Sequence, residues 1–153
     1  MKISEVLERE TIIPDLQSRT KPDVIRELAD NLAAAHPGIN NEKLIEVLME
    51  REKLCSTAVD CGVAIPHAKM TGTSDIIAGF GRSFEGIDYD SLDAELTHLF
   101  IILVAPETSI GAHIQLLARI SKIFRNPDLR AKLMTLETKD EIYDSIIMED
   151  AKL

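Results

Sequence analysis

Strand-like and helix-like stretches alternate along this chain, which predicts an α/β fold: a single domain with a central mixed β-sheet flanked by helices on both faces. Two observations carry most of that expectation. Residues 99–104, Leu-Phe-Ile-Ile-Leu-Val, are the most apolar run in the sequence, and a run with no polar alternation suits a strand buried on both sides. Around it, several stretches repeat apolar residues at helical spacing behind a capping residue. A chain of 153 residues buries roughly 70% of its unfolded surface, enough for a core without disulfides or metal.

In chain order, Thr11-Ile12-Ile13 reads as a short strand stopped by Pro14-Asp15. Thr20 opens a helix with Pro22 in its first turn, where a missing N–H costs nothing. Val24, Ile25, Leu28, Ala29 and Leu32 keep helical spacing, and Pro37-Gly38 ends the helix. Asn40 or Asn41 caps a second helix, with Leu44, Ile45, Leu48 and Met49 inward, that ends near Arg51. From 53 to 69 the helical pattern stops; Gly62, the apolar Val63-Ala64-Ile65 and Pro66 predict a loop feeding a brief strand. Residues 76–80 predict a strand, and the turn-rich 84–89 stretch predicts a return across the surface. Pro106 ends the 99–104 strand. A third helix over 111–124 carries Leu117, Ile120 and Phe124 on one side, and Asn126-Pro127-Asp128 breaks it and starts a short helix through Leu133. Thr138-Lys139-Asp140-Glu141 has the form of a capping box opening a last helix through Ile147. No repeat, low-complexity tract or linker divides the chain, so one domain is expected over 1–153.

The formal net charge is −9. Such a surface repels nucleic acid and anionic lipid where no basic cluster overrides it, and it favours a basic protein partner. No apolar run approaches the roughly 20 residues that span a bilayer, and the start, Met1-Lys2-Ile3-Ser4-Glu5, lacks a signal peptide's apolar core. A cytoplasmic protein without membrane insertion is expected. Cys55 and Cys61 match neither a C-x-x-C redox motif nor a usual zinc spacing, and they read as two reduced, partly packed thiols.

Four histidines carry the possible chemistry. His36 sits before Pro37 at a helix end, where the helix dipole explains it, and His98, opening the buried strand, reads as structural. His67 follows Ile65-Pro66. Proline fixes one φ, so the imidazole projects from a rigid edge, as a nucleophile that must meet its target in line requires. A neutral imidazole has one ring nitrogen with a free lone pair for attack. His113 falls in the first turn of the third helix, where free N–H groups and the positive dipole end suit an anion and keep the imidazole neutral. A buried histidine satisfied by a backbone carbonyl is the plainer alternative.

The stretch Arg51-Glu52-Lys53-Leu54-Cys55-Ser56-Thr57, followed by Gly62-Val63-Ala64-Ile65-Pro66-His67-Ala68-Lys69, resembles the signature of the IIA domains of the bacterial phosphotransferase system, of the fructose/mannitol and nitrogen-regulatory type. The 99–106 strand, the Ala112-His113-Ile114-Gln115-Leu116-Leu117 helix start and the closing helices fit the same family, so the resemblance covers about residues 3–148. It implies that His67 accepts a phosphoryl group from a histidine phosphocarrier protein, HPr or its nitrogen-branch paralogue. It implies that His113 supports the phosphate, that Arg51 lies near it, and that Ser56 and Thr57 line the loop, with a hydroxyl able to bond the phosphate or orient His67. The sequence departs from the family at Ala58-Val59-Asp60-Cys61, where members often carry a glycine.

That chemistry agrees with the residues. Phosphoryl transfer between imidazoles is nearly thermoneutral and asks for positioning and charge stabilisation; Arg51 offers a permanent charge and a planar fork. No metal or cofactor is implied. The expected function is a phosphohistidine carrier of the nitrogen-regulatory branch, since the chain shows no attached IIB domain or membrane segment. The alternative is a sugar-specific IIA component that hands the group to a IIB domain; a regulated target protein is the partner in the first case. More distant readings are a metal-binding module using His67, His113 and Cys55 or Cys61, and a non-enzymatic interaction domain.

Overall fold

The computed structural model describes residues 1–153 and places a mixed five-stranded sheet between two layers of helix. Strand β1 (Leu7–Ile13) forms one edge. The other edge is made of two short pieces, β2 (Val63–Ala64) and β3 (His67–Met70). Between the edges lie β4 (Ile77–Ile87) and β5 (Thr97–Pro106), antiparallel to each other. β1 runs parallel to β4, and both β2 and β3 run parallel to β5.

Helices α1 (Lys21–Ala35) and α2 (Asn41–Leu54) cover one face. The other face carries α3 (Ala112–Phe124), α4 (Pro127–Thr135), α5 (Lys139–Asp150) and a 3-10 turn at Ile3–Glu5. β5 serves both cores. Phe100, Ile102 and Val104 pack under α1 and α2, while Leu99, Ile101, Leu103 and Ala105 pack under α3 to α5. Side chains alternate across a strand, so two apolar faces demand an unbroken apolar run. That requirement is what residues 99–104 recorded.

The helix starts follow their caps. Thr20 accepts from the Asp23 N–H, Asn40 from Lys43, Asn126 from Asp128 and Thr138 from Glu141. Of the boundaries that differ from the sequence expectation, three bear on the site and the sheet. β1 begins at Leu7, four residues before Thr11, because pairing with β4 supplies partners that local composition does not show. α2 continues to Leu54, which puts Arg51 in its last turn. The 84–89 stretch is not a surface return: residues 84–87 belong to β4, whose register with β5 shifts between Arg82 and Ile87. Gly86, at φ 84, absorbs the kink, and a Cβ there would lie 2.8 Å from the His98 ring. On α3, Leu116 and Ile123 join Ile120 and Phe124 in the core, while Leu117 is only partly buried.

Candidate functional site

The edge strand beside β5 is interrupted at Ile65-Pro66, and the interruption builds the site. Proline has no N–H to give a ladder and is confined to edges and breaks. The Ile65 N–H turns out of the sheet and donates to the Thr57 carbonyl at 3.0 Å. Pairing resumes at His67, opposite Leu103, with the Pro66 carbonyl accepting from the Leu103 N–H at 3.0 Å. The Ile65 carbonyl, freed from the ladder, lies 2.8 Å from Nδ1 of His67. A carbonyl can only accept, so Nδ1 carries the proton and Nε2 keeps its lone pair. His67 is half-buried and held at its root.

Arg51 approaches from the end of α2. Its Nη1 donates to the Cys55 carbonyl at 2.8 Å, a usual way for a basic side chain to satisfy a helix C-terminus. His67 and Arg51 together line two clefts. One, of about 300 Å³, is completed by Val47, Ala68, Lys69, Leu103, Ala105 and His113. The other, of about 330 Å³, runs along the 56–59 loop and reaches Leu117, Ala118 and Ser121 of α3.

The first cleft concentrates positive charge. Arg51 and Lys69 line it, no carboxylate does, and neither residue takes part in any ion pair of the chain. His113 stands in the first turn of α3, whose N-cap, Gly111, has no side chain to satisfy the leading N–H groups. Burial, then the charges of Lys69 and His67, hold the His113 pKa below the ordinary histidine value. Its ring is therefore neutral at pH 7, and its buried Nδ1 has no hydrogen-bond partner. A neutral ring, an uncapped helix start and two unpaired cations leave room for an anion with several oxygens.

Ser56 and Thr57 line the second cleft beside His67, but their hydroxyls are engaged elsewhere. Ser56 Oγ donates to the Tyr89 carbonyl at 2.8 Å and accepts from the Ala58 N–H at 3.1 Å. Thr57 is buried, and its Oγ1 donates to the Glu52 carboxylate. Both residues shape the loop under His67 rather than presenting a free hydroxyl to the cleft.

The chain matches the model of the phosphoenolpyruvate-dependent sugar phosphotransferase system EIIA 2 family over residues 5–149. It belongs to that family. Among curated relatives, a nitrogen regulatory protein of Bradyrhizobium diazoefficiens is 36% identical over 151 residues, covering 99% of this chain and 98% of the relative. The fructose-specific EIIABC component of Bacillus subtilis is 35% identical over 150 residues, covering 98% of this chain, which spans about a quarter (24%) of that longer protein. Among solved structures, the nitrogen regulatory protein IIA-Ntr of Neisseria meningitidis superimposes with a TM-score of 0.87 at 29% identity, covering 94% of this chain and 98% of that one.

As an EIIA chain the protein is a phosphotransferase component. No helix is long and apolar enough to cross a membrane. The departure at residues 58–61 has a definite shape: Cys61 takes φ 65 directly before Gly62 at φ 75, so the left-handed turn that favours glycine is partly entrusted to a cysteine. The two cysteines are free but exposed rather than partly packed, since both fall on the surface loop between α2 and β2, and no three His, Cys, Asp or Glu side chains are placed to hold a metal together. The sequence reading assigned no role to Lys69 or to Glu52. Lys69 stands two residues beyond His67 in an alternating strand, which was the available signal for its reaching the same cleft. Glu52 carried none, since a charged residue at a helix end is ordinarily solvated.

Proposed function

We propose that this EIIA chain carries a phosphoryl group on His67, taken from a histidine phosphocarrier protein and then passed on or kept as a signal. The observation that carries this reading is the Nδ1···Ile65 carbonyl bond of 2.8 Å, which leaves Nε2 as the nucleophile beside a cleft lined by Arg51 and Lys69. In the transfer, the Nε2 lone pair forms the new N–P bond while the donor's N–P bond breaks and the donor imidazole leaves with the electron pair of the broken bond. The proton on Nδ1 stays in place, and the Ile65 carbonyl stabilises the positive charge the ring acquires. Arg51, Lys69 and the start of α3 meet the phosphoryl oxygens, with His113 as a neutral donor. Leu54 at the end of α2, Ile110 just before α3 and Ile114 in the first turn of α3 are exposed. They offer a phosphocarrier protein an apolar contact around the reacting atoms.

The likeness to the Neisseria IIA-Ntr structure supports the nitrogen-regulatory branch; in that reading the protein acts in the cytoplasm on partner proteins. The 35% identity to the Bacillus fructose component supports the alternative, transfer to a IIB domain during sugar uptake. A reconstituted relay with labelled carrier tests the core claim. The wild type takes label that is lost in mild acid and survives alkali; His67→Ala stays folded and takes none. Label on His67→Ala, or label stable in acid and lost in alkali as for a Ser56 or Thr57 ester, refutes it. Adding IIB domains to the labelled protein then separates the branches: rapid discharge to one of them means transport.

A further inference from the structure

A charged pair is buried beneath the loop that precedes His67, and phosphoryl transfer as described makes no use of it. The Glu52 side chain is 3% exposed and that of Lys21 14%, with Nζ 3.0 Å from Oε1. Lys21, in the first turn of α1, also lies 4.6 Å from the centre of the Tyr89 ring and 3.6 Å from the Asp90 carboxylate. A buried ion pair is a poor device for stability, because desolvating two charges offsets their attraction and apolar residues of the same size do as well or better. Its bonds indicate what it holds. Glu52 Oε1 accepts from the Thr57 N–H at 3.0 Å, and Oε2 accepts from the Thr57 hydroxyl. The Thr57 carbonyl accepts from the Ile65 N–H at 3.0 Å, and the Ile65 carbonyl takes the proton of His67 Nδ1 at 2.8 Å.

We propose that Glu52 is a positioning residue for the His67 imidazole: clamped by Lys21, it fixes both donors of Thr57, Thr57 anchors the Ile65 backbone through its N–H, and the carbonyl on the other side of the Ile65 Cα sets the ring's tautomer and aim. The function of this relay rests on the reading of His67 as the phosphoryl acceptor; its existence does not. A carboxylate can accept from Lys21 and from both Thr57 donors at once, whereas an amide has one acceptor oxygen and a mismatched NH₂. Without the clamp the backbone at Ile65 is free to shift, carrying its carbonyl away from Nδ1, and a tautomer with the proton on Nε2, unable to attack, gains population.

Nitrogen NMR of the His67 ring in the unphosphorylated chain reads this directly, alongside the transfer rate from the labelled carrier. The wild type should be protonated on Nδ1. In Glu52→Gln the Nε2-protonated form should appear and transfer should slow by about 10-fold, the lower end of the 10–100-fold typical for outer partners that orient a ligating imidazole. Should Glu52→Gln fold poorly, the Thr57 pair decides: Thr57→Val should reproduce the tautomer shift, and Thr57→Ser, which keeps the hydroxyl, should restore the wild-type ring signals. Variants that lose thermal stability while His67 keeps its wild-type ring signals and rate overturn the proposal, as does a wild-type ring protonated on Nε2. A ring that shifts as expected in a chain that never takes label sustains the relay and sinks the phosphoryl reading instead.

Discussion

On its α3 side His67 faces groups without partners. Lys69 forms no ion pair, His113 Nδ1 has no hydrogen bond and Gly111 leaves the helix start uncapped. On its loop side most neighbouring polar groups have theirs: Ser56 bonds the Tyr89 carbonyl and the Ala58 N–H, Thr57 bonds Glu52, Ile65 bonds Thr57, and Glu52 is paired with Lys21, the buried Tyr89 hydroxyl being the exception. Unsatisfied polar groups are costly inside a protein and are kept where a ligand will meet them. Satisfied ones give rigidity. The cleft and the loop thus divide the work of a transfer site, one flank waiting for charge and the other holding the nucleophile still.

Substitutions on the cleft flank should therefore change rate and spare stability. The largest effect is expected from His113→Ala: transfer slower by about 10²–10³-fold in at least one direction, as for the loss of a donor to developing charge. His113→Gln, which keeps an N–H, should recover part of the loss, and pre-steady-state transfer rates measure both. A wild-type rate in His113→Ala would return this residue to an ordinary partly buried histidine. Arg51→Lys keeps the charge and loses the fork, so its rate should fall between wild type and Arg51→Ala.

The loop flank should answer in stability as well as rate. Thr57→Val removes a buried hydroxyl and strips one donor from Glu52, and leaving such an acceptor unmet costs about 1–3 kcal/mol. Urea unfolding of Thr57→Val and His113→Ala side by side tests the division; equal losses in both would erase it.

Acid should sharpen the contrast. The folded His113 pKa lies below the ordinary value of 6.5, through burial first and Lys69 second. The unfolded chain therefore binds this proton before the folded one does, and stability is retained above that value and lost as pH falls through it. Proton NMR should show a depressed His113 midpoint that rises in Lys69→Ala, and rises again when His67 carries the negatively charged phosphoryl group. The smallest effect is expected at Cys61. Relieving its positive φ of 65 with Cys61→Gly is worth roughly 1–2 kcal/mol by the left-handed penalty, less about 0.5–1 kcal/mol for glycine's extra freedom. A gain of up to about 1.5 kcal/mol in thermal unfolding would agree; a loss would mean that the thiol packs usefully.

Much of this was readable along the chain, because its causes are local. Caps, a proline in a first turn and a two-sided apolar strand act within a few residues, so Thr20, Asn126, Thr138 and residues 99–104 announced their elements. Pro66 before His67 announced a rigid edge, and the run from Arg51 to Lys69 announced the family. What the sequence could not settle is which distant group each polar atom meets. Arg51 and Arg82 are the same residue type, yet one lines the clefts while the other, 1% exposed, spends its guanidinium on the carbonyls of Pro14, Leu133 and Leu136. Ser56 and Thr57 read as hydroxyls able to bond a phosphate or orient His67, and the fold brings the Tyr89 carbonyl and Glu52 to them; residues 84–87 read as a turn, and the strand carries on through a bulge until Ile87 pairs with Thr97 of β5. Those outcomes depend on contacts between elements tens of residues apart, where burial and hydrogen-bond satisfaction outweigh the local preferences a sequence displays.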